Sequence, residues 1–140
     1  MLTLDIEQST ARSHERFSAV LQGKITRAIG SLVPKLPSGT ISVGFISDAR
    51  MKELNTHYRG KHKTTDVLSF SYVDDTREGY LGEVVISLAQ ARRQAKKGVR
   101  RECVDLLVHG ILHVFGYDHE RPEDAERMLP LQGKIVQRIL

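Results

Sequence analysis

The stretch VDLLVHGILHVFGYDH, residues 104–119, decides how this sequence is read. Val104, Leu107, Val108, Ile111, Leu112 and Phe115 recur at the i, i+3, i+4, i+7 spacing of a helix that faces a core. The spacing predicts a helix from about Arg101 to Phe115, stopped by Gly116, a residue at ease in the left-handed geometry of a helix end. Each residue turns an α-helix by about 100°, so His109 and His113 are one turn and only about 40° apart. Their imidazoles project from one face, just past the edge of the apolar stripe. Gly116 lets the chain reverse, and His119 can return to the same point. Three neutral imidazoles with an open fourth position form the donor set of a catalytic zinc site.

The spacing H-x-x-x-H-x-x-G-x-x-H matches that of the metzincin peptidases except at one position, where Gly110 replaces their glutamate. No carboxylate at this position can polarise water, so peptidase chemistry of the glutamate type is disfavoured. The glycine itself has three readings. It gives substrate room beside the metal, admits a neighbouring strand, or only relieves packing.

Outward from this helix, LTLDIE (2–7) alternates apolar and polar residues as a half-buried strand does. Phe17, Val20, Leu21, Ile25, Ala28 and Ile29 predict an amphipathic helix from about Ser13 to Val33, ended by PKLPSG (34–39). TISVGFIS (40–47) reads as a strand, and Ser47 or Asp48 as the cap of a helix running to about Tyr58. DVLSFSY (66–72) reads as a strand with a turn-rich exit, VDDTREGY (73–80), and LGEVVIS (81–87) as another. A basic helix is expected over Leu88–Lys97, broken by Gly98. Pro122 suits the first turn of a last helix, 122–140, which Pro130 is expected to kink or split. The expected class is α+β, with one mixed sheet of about four strands covered by helices. Strand order is left open. The 140 residues fit one domain, 1–140.

With 40% hydrophobic and 27% charged residues the composition is that of a globular protein. No apolar run approaches the ~20 residues that span a bilayer, so no membrane association is expected. The first residues show no charged leader followed by an apolar block, and Asp5, Glu7 and Glu15 argue against a transit peptide. The single cysteine, Cys103, excludes an internal disulfide and suits a reducing cytosol, so a cytoplasmic location is expected. It falls about 240° around the helix from His109 and is assigned to the core. Asp105, one turn before His109, is either an acceptor for an imidazole N–H or a solvated carboxylate.

A net charge of +4 favours a polyanionic partner, of which nucleic acid is the commonest. Arg59 opens the loop RGKHKT with Lys61 and Lys63. A guanidinium there can grip a phosphate in bidentate fashion, or brace the fold against Asp66 or Glu83. In ARRQAKKGVRR (91–101), Arg92, Arg93, Lys96 and Lys97 share one face on helical spacing, either to neutralise phosphates or merely to be solvated. Aromatic residues make up only 6% and none interleaves this stretch, so base stacking is expected to be minor.

HGILHVFGYDH resembles the signature of the YbeY family, metal-dependent endoribonucleases implicated in bacterial ribosomal RNA maturation. LNTHYRGKHKTTDVLSF (54–70) and LGEVVIS (81–87) are similar to two further blocks of that family, so the resemblance spans about residues 40–120. It implies a single metal-dependent hydrolase domain with zincin-like placement of the metal-binding helix. It also implies one zinc ion per chain on His109, His113 and His119, other divalent metals being possible substitutes, and an essential arginine, Arg59, near the metal. The implied activity is a metal-dependent endoribonuclease acting on single strands in ribosomal RNA processing and ribosome quality control. Implied partners are ribosomal RNA and the small ribosomal subunit or its proteins, with no DNA specificity. His62 stands where the family usually has an acidic residue, Thr64 and Ser71 where it usually has prolines, and Glu83 where it usually has aspartate. The nucleophile, a water or the 2′-hydroxyl of RNA, is left open, and Asp118, Glu120 and Asp66 are equal candidates for proton acceptor. The alternative is a zinc-stabilised RNA- or ribosome-binding assembly factor with little catalysis.

Overall fold

In chain order the computed structural model has β1 (Leu2–Glu7), α1 (Ala19–Leu32), β2 (Gly39–Ile46), α2 (Asp48–Arg59), β3 (Val67–Ser71), β4 (Tyr80–Ser87), α3 (Leu88–Gln94), α4 (Val99–Val114) and α5 (Pro122–Ile139). It describes residues 1–74 and 79–140; part of the expected turn-rich exit from β3 lies outside the described residues. The four strands form one sheet in the order β1-β2-β4-β3. β1, β2 and β4 run parallel, and β3 joins β4 antiparallel. The fold is α+β, as expected, and among the described residues β3 is a free edge. No helix among the described residues is long and apolar enough to cross a membrane.

Helix α4 is the central element. Val104, Leu107, Val108, Ile111 and Leu112 are all fully buried, facing Ile41, Val43, Val84 and Ile86 of the sheet within one core. Two glycines bring helix and sheet together. A Cβ at Gly110 would stand 2.6 Å from Val84 Cγ1, and one at Gly82 would stand 2.7 Å from Val114 Cγ1. Positions 82 and 84 lie on the same face of β4, since side chains alternate along a strand. Each glycine therefore receives a valine from the other element, and of the three readings of Gly110 the structure supports the approach of a strand. The opposite face carries a smaller cluster of Met51, Leu68 and Val85 under α2.

Three expectations change. Helix α1 begins at Ala19, not near Ser13: Ser18 is its cap, with Oγ accepting from the Leu21 amide at 3.1 Å. Before it the chain turns around Glu15, which is buried and accepts from the Arg12 amide and from Arg92. Second, α3 ends at Gln94, because Ala95 turns to extended backbone (ψ 130°). Lys96 and Lys97 lie beyond that helix and share no helical face with Arg92 and Arg93. Third, of the two outcomes expected of Pro130, splitting does not occur, because Pro130 sits inside an unbroken α5.

Candidate metal centre

Helix α4 stops where the site needs it to. Gly116 takes φ +94°, its amide donates to the His113 carbonyl, and the Tyr117 amide donates to that of Leu112, both at 3.0 Å. This left-handed stop caps the helix and throws residues 117–120 back across its end. Asp118 Oδ1 then accepts from the His119 and Glu120 amides at 2.6 and 3.2 Å, which fixes the returning loop. His119 thereby arrives beside the other two histidines. One ring nitrogen from each of His109, His113 and His119 lies within 4.8 Å of the others. The Nε2 atoms of His109 and His113 are 3.1 Å apart. Two nitrogens on one tetrahedral zinc, each at ~2.0–2.1 Å, lie about 3.3 Å from one another, so the donor set fits such an ion. Among the described residues this is the one cluster of histidine, cysteine and carboxylate groups close enough to hold a metal.

The ring electrostatics suit ligation. Burial holds the His113 pKa below the usual histidine value, and the neighbouring His109 and His119 rings push the same way. A neutral ring keeps a lone pair for a metal. His109 is oriented from its far side. Its Nδ1 lies 2.7 Å from Gln132 Oε1, and Gln132 Nε2 donates to Asp105 Oδ1 at 3.1 Å. With Nδ1 protonated and donating to the amide oxygen, Nε2 is left free for the metal. Asp105 does belong to this network, but one residue further out than expected. Gln132, on α5, is the member that sequence reasoning missed.

The histidines line a groove of about 690 Å³ whose walls include Arg59, Asp66, Val67 to Ser69 of the edge strand, and the loop 116–120. Arg59 is the last residue of α2; Gly60 stops that helix at φ +67°. Arg59 is exposed and makes no hydrogen bond or ion pair with any described residue. The alternative in which it braces the fold on Asp66 or Glu83 is not what forms. Glu83 sits on the opposite sheet face beside Arg50 and Tyr58. Asp66 is occupied by the Val67 amide and by Gln94 Nε2, at 2.8 and 3.0 Å. Asp118 is held below the usual aspartate range, chiefly by the His119 amide. Glu120 lines the groove with no described partner for its carboxylate.

The remaining cations lie elsewhere. Lys61 and Lys63 are exposed on the loop after α2 and do not line the groove. Arg92 is bonded twice to the buried Glu15, at 2.7 and 2.8 Å, and Arg93 pairs with Asp48 at 2.7 Å. Both therefore have partners inside the protein. Lys96 and Lys97 border a separate hollow with Arg101. Cys103 is buried, and burial pushes its thiol up to about 12, so it is core as expected. The two positions where the resembled family usually has proline carry working hydroxyls here. Thr64 Oγ1 donates to Asp48 at 3.2 Å, and Ser71 Oγ donates to the Val114 carbonyl at the end of α4, at 2.7 Å.

A family model described as Endoribonuclease YbeY matches residues 3–140. A protein named Endoribonuclease YbeY from Persephonella marina is 47% identical over 107 residues, covering 71% of this chain and 69% of its own length. One from Syntrophomonas wolfei is 30% identical over 152 residues, covering 99% of this chain and 97% of its own. Among solved structures, the solution structure of TM1509 from Thermotoga maritima superposes with a TM-score of 0.60 at 25% identity, covering 99% of this chain and 89% of that one.

Proposed function

This chain belongs to the Endoribonuclease YbeY family, and from that premise we propose that it is a zinc-dependent endoribonuclease that cuts single-stranded RNA. One observation carries the reading: three imidazoles converge in an open groove also lined by Arg59, which has no partner among the described residues. A structural zinc site is normally closed by four protein ligands, whereas catalytic sites keep a position open. The open, three-ligand arrangement therefore favours catalysis over the assembly-factor alternative. Zinc in the site would supply a Lewis acid for the phosphodiester and lower the pKa of water.

The chain's own residues do the rest. Arg59 binds the phosphate and offsets the charge that develops on it. Gln132 holds His109 in the ligating tautomer. Glu120 is the best-placed proton acceptor, because Asp66 is already bonded and Asp118 is held ionised by the loop it fixes. Ribosomal RNA as substrate, the small ribosomal subunit as partner, and a cytoplasmic setting belong to the same reading and rest on the family. Lys61, Lys63, Lys96 and Lys97 are proposed as outlying phosphate contacts; Arg92 and Arg93 are weaker candidates because each is already paired.

The test is cleavage and binding of single-stranded RNA by wild type, Arg59→Ala and Glu120→Gln. The reading expects kcat to fall about 100-fold in Arg59→Ala with its melting temperature unchanged, and a fall in kcat with binding retained in Glu120→Gln. Full binding by wild type without cleavage would favour the assembly factor instead.

A further inference from the structure

The edge strand β3 offers the groove something no ligand or loop residue does. The Tyr72 amide donates to the Leu81 carbonyl, and the Ser87 amide to that of Asp66, both at 2.9 Å. With the register Val67↔Ile86 through Ser71↔Gly82, these two bonds fix which residues of β3 face β4. In an antiparallel ladder, hydrogen-bonded and non-bonded pairs alternate. Residues 66, 68, 70 and 72 therefore bond to β4, and Val67, Ser69 and Ser71 turn their main-chain groups to the free edge. Two of these three are already committed at one donor. The Val67 amide donates to Asp66 Oδ1, and the Ser71 hydroxyl to the Val114 carbonyl. Ser69 has neither its amide nor its hydroxyl bonded to any described residue, it is only half-buried, and it lines the groove with His109, His113 and Arg59.

We infer that Ser69 is a substrate-binding residue, whose amide and hydroxyl both donate to a phosphate or ribose oxygen of the RNA strand lying along the edge of β3. The inference rests on the proposed RNA reading of the groove. The chemistry is suited to a polyanion. An N–H and an O–H on one residue are donors that cost no charge repulsion and no mobile side chain to order, and bonds to ionised acceptors are the stronger kind. Arg59 grips the strand as a charge; Ser69 holds it as a fixed pair of donors on a rigid element.

The position supplies its own probe. Proline is tolerated in a sheet only where the lost amide faces away from the ladder, and Ser69 occupies such a position. Ser69→Ala removes the hydroxyl donor; Ser69→Pro removes both donors. Zinc-loaded wild type and both variants would be compared in affinity for a fluorescent 2′-O-methyl single-stranded oligonucleotide, and in cleavage of the unmodified RNA. Zinc content and melting temperature would be followed in parallel. The expected result is about tenfold weaker binding for Ser69→Ala and a further loss for Ser69→Pro, with zinc content unchanged. Binding and cleavage by Ser69→Ala within twofold of wild type would overturn the inference, and so would a loss that tracks zinc content. If wild type binds but does not cleave while the variants bind more weakly, the nuclease reading falls and the subsite stands. If wild type does not bind RNA at all, both fall.

Discussion

Gly110 and Val84 interlock so closely that a β-carbon on the glycine would lie 2.6 Å from the valine Cγ1, with Cγ2 at 3.1 Å and Val67 Cγ2 at 3.4 Å. Carbon atoms do not approach to 2.6 Å without something moving, and here both neighbours belong to the sheet. The position where a zinc peptidase carries its glutamate is thus filled by the strand behind it.

Gly110→Ala should therefore destabilise the protein despite alanine's advantage in a helix. The propensity gain is about 1 kcal/mol, and overpacking a tight core costs about 1–3 kcal/mol. The expected net is a lowered melting temperature and weakened metal binding, because α4 carries two of the ligands. Gly110→Glu should fold poorly and show no hydrolysis of casein. A stable Gly110→Glu protein with peptidase activity would contradict this account of the packing.

Gln132→Ala should loosen the metal without unfolding the chain. It removes the acceptor 2.7 Å from His109 Nδ1 and leaves the three ligands in place. Loss of such a partner typically costs 10–100-fold in metal affinity, measurable by competition with a chromogenic chelator, and about tenfold is expected here. Gln132→Glu combined with Asp105→Asn, which keeps the acceptor for His109 and replaces the carboxylate that Gln132 Nε2 bonds at 3.1 Å with an amide able to donate, should recover most of the affinity. Equal weakening in both variants would point to simple packing instead.

The Glu15–Arg92 pair should set part of the acid stability. The Arg92 guanidinium hydrogen-bonds the Glu15 carboxylate and holds its pKa down, at about 2, from 4.5. A depressed carboxylate contributes stability that is complete above its unfolded pKa and is lost as pH falls toward the folded value. The window is therefore about pH 4.5 down to about 2. Urea unfolding across it should show wild type losing stability faster than Glu15→Gln, which starts lower at pH 7. Arg92→Ala leaves a buried carboxylate without its cation and should cost about 3 kcal/mol at pH 7.

Much of this was legible in residues 104–119, because a helix has one period and the apolar stripe, the histidine pair and the stopping glycine all obey it. The edges of elements were less so. Phe17 continues the apolar spacing of α1 backward, so periodicity alone runs the helix past its cap at Ser18; Phe17 is buried from the irregular segment just before that cap instead. Arg92, Arg93, Lys96 and Lys97 read as one face because lysine and arginine are good helix formers, and nothing local marks the turn to extended backbone at Ala95. The strand order and the partners Gln132 and Glu15 were out of reach for another reason. Gln132 is 23 residues from His109, and Glu15 is 77 from Arg92. Those contacts exist only once the helices have docked.

The most direct test of the central claim is RNA cleavage by metal-stripped protein, by the same protein after zinc is restored, and by His113→Ala, with zinc measured in each. The account predicts one zinc per chain and cleavage in the restored wild type, and neither tight zinc nor cleavage in His113→Ala. Equal cleavage by stripped protein and by His113→Ala, or a fully zinc-loaded wild type that leaves single-stranded RNA intact, would contradict it.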